Sequence, residues 1–87
     1  MPGKTLLIIK INPKDMENVD ATAEAVKTIK TGEVKDVQKV SIGFGAEIVK
    51  AGILVNEKED GAMDAVLEEI NNLPDVEDAE IEGMTLL

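Results

Sequence analysis

Lysine, aspartate and glutamate are the only side chains of this 87-residue chain that carry charge at neutral pH. Nine lysines stand among eighteen carboxylates, with no histidine, cysteine or tyrosine. Without histidine, the usual general base and the commonest transition-metal ligand are missing. Without cysteine there is no disulfide, zinc–thiolate site or thiol nucleophile. Ser41 and several threonines offer hydroxyls, but no imidazole activates them. The carboxylates fall in runs, Glu57-Glu59-Asp60 and Asp75-Glu77-Asp78, and Asn56 to Glu68 lacks the alternating oxygen ligands and terminal glutamate of a calcium loop. A solvated acidic rim is the better reading. Gly43-Phe44-Gly45 has neither the third glycine of a dinucleotide turn nor the Lys-Ser/Thr of a nucleotide-binding loop. No catalytic residue, metal site or cofactor is expected, and the chain is not expected to be an enzyme.

What remains is contact chemistry, and it centres on one ring. Phe44 is the only aromatic residue, and it sits between two glycines in Ile42-Gly43-Phe44-Gly45. A small domain normally fills its core with several such rings. Here the interior must come from Val, Ile, Leu, Ala and Met, and the one large ring stands where the backbone turns most freely. It is either a core ring at a tight bend or an exposed wedge for a partner.

Composition narrows the partner. The chain length suits one domain, residues 1–87. A net charge of −9 excludes a grip on nucleic-acid phosphates and suits a basic protein partner. RNA-binding sheets need several aromatics, which this chain lacks. Met1 to Ile11 has neither the long apolar region of a signal peptide nor the length to cross a bilayer, so the expected compartment is the cytoplasm, with no membrane partner. A monomer is the expected oligomeric state.

The elements that must hold Phe44 follow from periodicity. Leu6 to Ile11 reads as a buried strand closed by Asn12-Pro13, with Leu7, Ile9 and Ile11 facing inward. Asp20 is placed to N-cap a helix that carries Thr22, Ala25, Val26 and Ile29 and ends at Thr31-Gly32, where glycine can take a left-handed cap. Val34 to Ile42 forms a second strand, with Val40 and Ile42 on one face. Glu47 to Asn56 forms a third, with Val49, Ala51, Ile53 and Val55 sharing a face, and the two make a hairpin or a bulged, offset pair. After the acidic turn Glu57 to Gly61, the residues Met63, Val66, Leu67, Ile70 and Leu73 follow helical spacing until Pro74. Asp75 to Leu87 alternates as a last strand, with Ala79 and Ile81 inward. The order βαββαβ predicts an α+β, ferredoxin-like sandwich: a four-stranded antiparallel sheet with two helices on one face.

Val40-Ser41-Ile42-Gly43-Phe44-Gly45, the helix Met63-Asp64-Ala65-Val66-Leu67-Glu68-Glu69-Ile70 and the final Asp75-Val76-Glu77-Asp78-Ala79-Glu80-Ile81 resemble the translation elongation factor 1-beta family. That family comprises small archaeal proteins and the C-terminal exchange domain of the eukaryotic subunit. Its hallmark here is a Pro-Ile-Ala/Gly-Phe/Tyr-Gly segment, with Ser41 in the proline's place. The resemblance implies a guanine-nucleotide exchange factor for elongation factor 1-alpha, the GTPase that carries aminoacyl-tRNA to the ribosome. Such a factor disturbs magnesium and phosphate contacts and makes or breaks no covalent bond. By that resemblance Phe44 is the inserted ring, and Ile42, Gly43 and Gly45 shape its loop. Leu86 stands where the eukaryotic domain has a lysine that reaches the magnesium site, and Ala46-Glu47 stand where a lysine often follows the motif; the next lysine is Lys50. If exchange depends on that cation, this chain is poorly equipped; if the ring and loop do most of the work, it is not. The alternative from the residues alone is a ferredoxin-like interaction or regulatory module that self-associates or binds a small effector.

Overall fold

The computed structural model describes residues 3–56 and 61–86. Four strands, β1 (Lys4–Pro13), β2 (Glu33–Gly43), β3 (Ala46–Asn56) and β4 (Val76–Leu86), form one antiparallel sheet in the order β2-β3-β1-β4. Helices α1 (Val19–Val26) and α2 (Ala62–Asn71) connect them in the ferredoxin-like order. The acidic turn at 57–60 lies outside the described residues.

Strands β1 and β3 are the two inner strands of the sheet, and the alternation of β1 is strict. Leu7, Ile9 and Ile11 are fully buried on the helix side, level with Ile53, Ala51 and Val49 of β3. Val26 and Ile29 from α1 and the connection after it, with Val66 and Ile70 from α2, close over them. Branched aliphatics fill this interior without any aromatic ring.

Several local expectations shift. Asp20 does not cap α1: the helix begins at Val19, behind a 3-10 turn (Met16–Asn18) in which the Glu17 amide donates to Asp15 Oδ1 at 3.0 Å. Asp20 lies in the first helical turn, where a negative charge suits the helix dipole. The helix also stops early, at Val26, and unwinds through tight turns in which the Lys27, Thr28 and Ile29 amides reach back three residues. Gly32 is no left-handed cap. A Cβ there would lie 2.6 Å from Ile53 Cγ2, so glycine serves close approach to the sheet. Met63 is 40% exposed, and Ala62 takes the buried place at the start of α2.

The connection after α1 is fastened by Glu69 of α2. Its carboxylate accepts the Lys30 amide (2.9 and 3.1 Å), the Thr31 amide (2.9 Å) and the Thr31 hydroxyl (2.7 Å). Burial raises the Glu69 pKa, but the hydrogen bonds from Thr31 and Lys30 outweigh it and hold the group below its ordinary value of 4.5. A carboxyl depressed in the folded state stabilises above its unfolded pKa, and that contribution disappears as pH falls through the folded value. Because water screens these bonds at a partly exposed site, Glu69→Gln is expected to cost only about 0.5–1 kcal/mol at neutral pH. In urea melts run from about pH 7 to pH 3, the gap between wild type and variant should close at the acid end. A gap that stays constant with pH would show that the anion has no part in it.

Candidate functional site: the β2–β3 hairpin tip

The tip is built by register. Strands β2 and β3 pair from Glu33↔Leu54 to Gly43↔Ala46, which leaves Phe44-Gly45 as a two-residue turn. Ile42 is an extra residue, because pairing passes from Ser41↔Glu47 directly to Gly43↔Ala46. Such a bulge re-aims the end of a strand. It also separates Ile42 from the alternation of Val40, which is half-buried opposite Ile48, and leaves Ile42 54% exposed.

Two-residue hairpin turns favour positive φ at both central positions, which usually selects Asn-Gly or Gly-Gly. Here φ is 97° at Gly43, 55° at Phe44 and 77° at Gly45. Phe44 is the one non-glycine residue with positive φ among those described. That conformation costs an L-residue about 1–2 kcal/mol. No heavy atom lies within 4 Å of a Cβ built at Gly43 or Gly45, so backbone conformation, and not crowding, calls for glycine there. The Phe44 ring is fully exposed, at 110% relative area. It is not a core ring: a large apolar group is held away from the core by a strained turn.

Leu86 does not join it. It pairs with Thr5 at the opposite end of the sheet and is 74% exposed, near Met84, which is 59% exposed. Thr5 is also level with Val55, nine residues along β3 from Ala46 beside the turn, a separation of about 30 Å at the rise of an extended strand. The molecule measures 43 × 22 × 16 Å, so Phe44 and Leu86 mark two ends of its long axis. Lys50 is not at the tip either; its ammonium meets Glu82 at 3.2 Å on the helix-free face.

Other features carry less. A depression of about 230 Å³ on the helix-free face is floored by Gly52 and walled by Leu6 and Ile8. Its polar rim is already engaged, Lys50 with Glu82, Lys35 with Glu33 and Gln38 with Asp36. Among the described residues no group of three or more His, Cys, Asp or Glu side chains could hold a metal ion. No helix among them is long and apolar enough to cross a membrane.

Residues 6–87 match the EF-1 guanine nucleotide exchange domain family. The chain belongs to that family. It is similar to elongation factor 1-beta of Methanosphaerula palustris, 34% identical over 87 residues, covering 97% of this chain and 98% of that protein. It is 33% identical over 85 residues to elongation factor 1-beta of Methanoregula boonei, covering 97% and 98%. With the same factor of Thermoplasma acidophilum it shares 31% over 88 residues, covering 98% and 99%. Among solved structures, the crystal structure of PH0061 superposes with a TM-score of 0.60 at 22% identity, covering 98% of this chain and 52% of that one. The C-terminal domain of MgtC from Mycobacterium tuberculosis superposes at 0.51 with 12% identity, covering 97% and 86%. At those identities the likeness is one of fold.

Sequence reasoning missed one residue of this region, Lys39. It pairs with Val49 where the hairpin leaves the sheet, and its ammonium hydrogen-bonds Asp20 of α1. No local pattern signals a contact between residues so far apart in sequence. The charge of a lone strand lysine reads as solvated until the helix is docked.

Proposed function

We propose that this chain accelerates release of GDP from elongation factor 1-alpha, and that it does so by inserting the Phe44 tip beside the magnesium and phosphate contacts of the GTPase. Membership of the exchange-domain family supports the partner and the reaction. The observation that carries the mechanism is the strained, fully exposed ring on a bulged hairpin. A ring that adds nothing to the core and sits in a costly conformation is explained by work done in a partner. An aromatic anchor at the centre of an interface supplies at least about 2 kcal/mol. Each 1.4 kcal/mol or so withdrawn from nucleotide binding is a tenfold change in affinity. The bare backbone at Gly43 and Gly45 admits a close approach, and Ile42 adds apolar area beside the ring. No bond is made or broken by the factor.

The test is stopped-flow release of labelled GDP from the GTPase with and without this chain. Unchanged release at saturating factor would end the proposal. Leu86 offers a second measurement. Because it is largely exposed, Leu86→Lys should keep stability within about ±0.5 kcal/mol. By analogy with the eukaryotic domain it should release GDP at the wild-type rate or faster when free magnesium is varied. A loss of about tenfold or more, the cost of some 1.4 kcal/mol of transition-state stabilisation, would overturn the analogy with the eukaryotic lysine.

A further inference from the structure

The tip projects beyond its support. Pairing of β1 with β3 ends at Ile11↔Val49, whereas β2 and β3 stay paired to Gly43↔Ala46. Beyond Val49 the ladder is two-stranded; Ile48, opposite Val40, is still buried, and the exposed ribbon, which by itself is marginally stable in water, begins after it. Lys39 stands at the point where support ends: it pairs with Val49, whose buried side chain marks the helix side of the sheet. From that face its ammonium meets the Asp20 carboxylate in the first turn of α1. Two strand-to-strand ion pairs among the described residues, Lys4 with Glu33 and Lys50 with Glu82, lie within the sheet.

We propose that Lys39 and Asp20 are positioning residues, an ionic tether that holds the two-stranded end of the hairpin against α1 and so limits where the Phe44 ring can point. The inference rests on the exchange reading for its functional consequence, but the tether itself is a property of the free domain. The Lys39 ammonium is held above its ordinary pKa by the hydrogen bond and charge of Asp20, with a further contribution from Glu47, diagonally across the hairpin. It therefore stays charged throughout the neutral range. Both partners are partly solvent-exposed, at 46% and 76% of their side-chain area. Such a pair adds little to global stability, so its effect should be local. A tether of this kind weakens as salt screens it.

Amide relaxation of Gly43 and Gly45 reads the tether directly. In Lys39→Met and in Asp20→Asn, order parameters at both glycines should fall from about 0.85 toward 0.6, with Ile9 and Val49 unchanged and the melting midpoint unmoved. The charge-swapped double variant, Lys39→Asp with Asp20→Lys, should restore tip order. Catalysed GDP release should follow the same pattern, with kcat/KM down roughly three- to tenfold in each single variant and recovering in the swap. Unchanged tip order in both single variants overturns the tether. A swap that restores neither order nor exchange also overturns it, because the two charges would then act separately, for example by touching the partner. Failure of wild type to release GDP would instead sink the exchange reading and leave the tether to be judged on relaxation alone.

Discussion

Phe44→Ala is expected to leave the fold intact and to remove most of the catalysed release of GDP. The ring is fully exposed and packs against nothing in the core, so stability should stay within about ±0.5 kcal/mol. A buried Phe→Ala would cost about 3–5 kcal/mol. Exchange should fall at least about 30-fold, the rate equivalent of a 2 kcal/mol anchor. Phe44→Asn sharpens the contrast. Asparagine tolerates positive φ and, with Gly45 after it, makes the pair that this turn prefers. That variant should be more stable than wild type by up to about 1 kcal/mol and equally defective in exchange. Urea melts and stopped-flow release measured on the same preparations check both halves. If Phe44→Ala releases GDP as fast as wild type, the insertion mechanism is wrong.

The largest expected effect on stability comes from a single methyl group. Gly32 passes over the sheet so closely that an added Cβ would meet Ile53 Cγ2 at 2.6 Å, Val66 Cγ2 at 3.2 Å and Val55 Cγ1 at 3.3 Å. Ile53 and Val66 are fully buried, so neither can swing aside into solvent. Gly32→Ala should cost about 1–3 kcal/mol through overpacking. The entropy lost by the unfolded chain returns only about 0.4–1 kcal/mol where the native geometry is unstrained, which it is not here. The same methyl should be neutral or stabilising in an Ile53→Ala background, where it enters the space left behind. That sign reversal is a non-additivity only neighbours show. Equal urea midpoints for Gly32→Ala and wild type would mean the connection has room that the close contacts deny.

The sheet and its core were legible because their signals are local and repeated. Leu7, Ile9 and Ile11 alternate, as do Val49, Ala51, Ile53 and Val55, and both series face the helices as expected. The glycines left the ring open to either reading, and its exposure was legible only through the family motif around it. Bulges were not. Lys35, Ile42, Glu77 and Glu82 are extra residues whose presence depends on the partner strand, and a single strand's alternation does not encode that partner. The misread helix ends have a similar cause. Asp20 has the chemistry of a cap, yet a 3-10 turn starts α1 earlier and Lys39 claims the carboxylate. Gly32 has the chemistry of a left-handed residue, yet Ile53 explains it. Leu86 was grouped with Phe44 by the role of related positions, and only the strand pairing places it at the far end.

The turn at Gly43-Phe44-Gly45 has an evolutionary consequence. Folding exerts no selection in favour of phenylalanine at position 44, since the core is complete without it; folding selects against it, since glycine or asparagine suits that backbone better. A lineage freed from its partner would therefore lose this ring early while keeping the aliphatic interior intact. If the proposed insertion holds, the side chain at 44 in any descendant that folds in the same way records whether the partner is still being met.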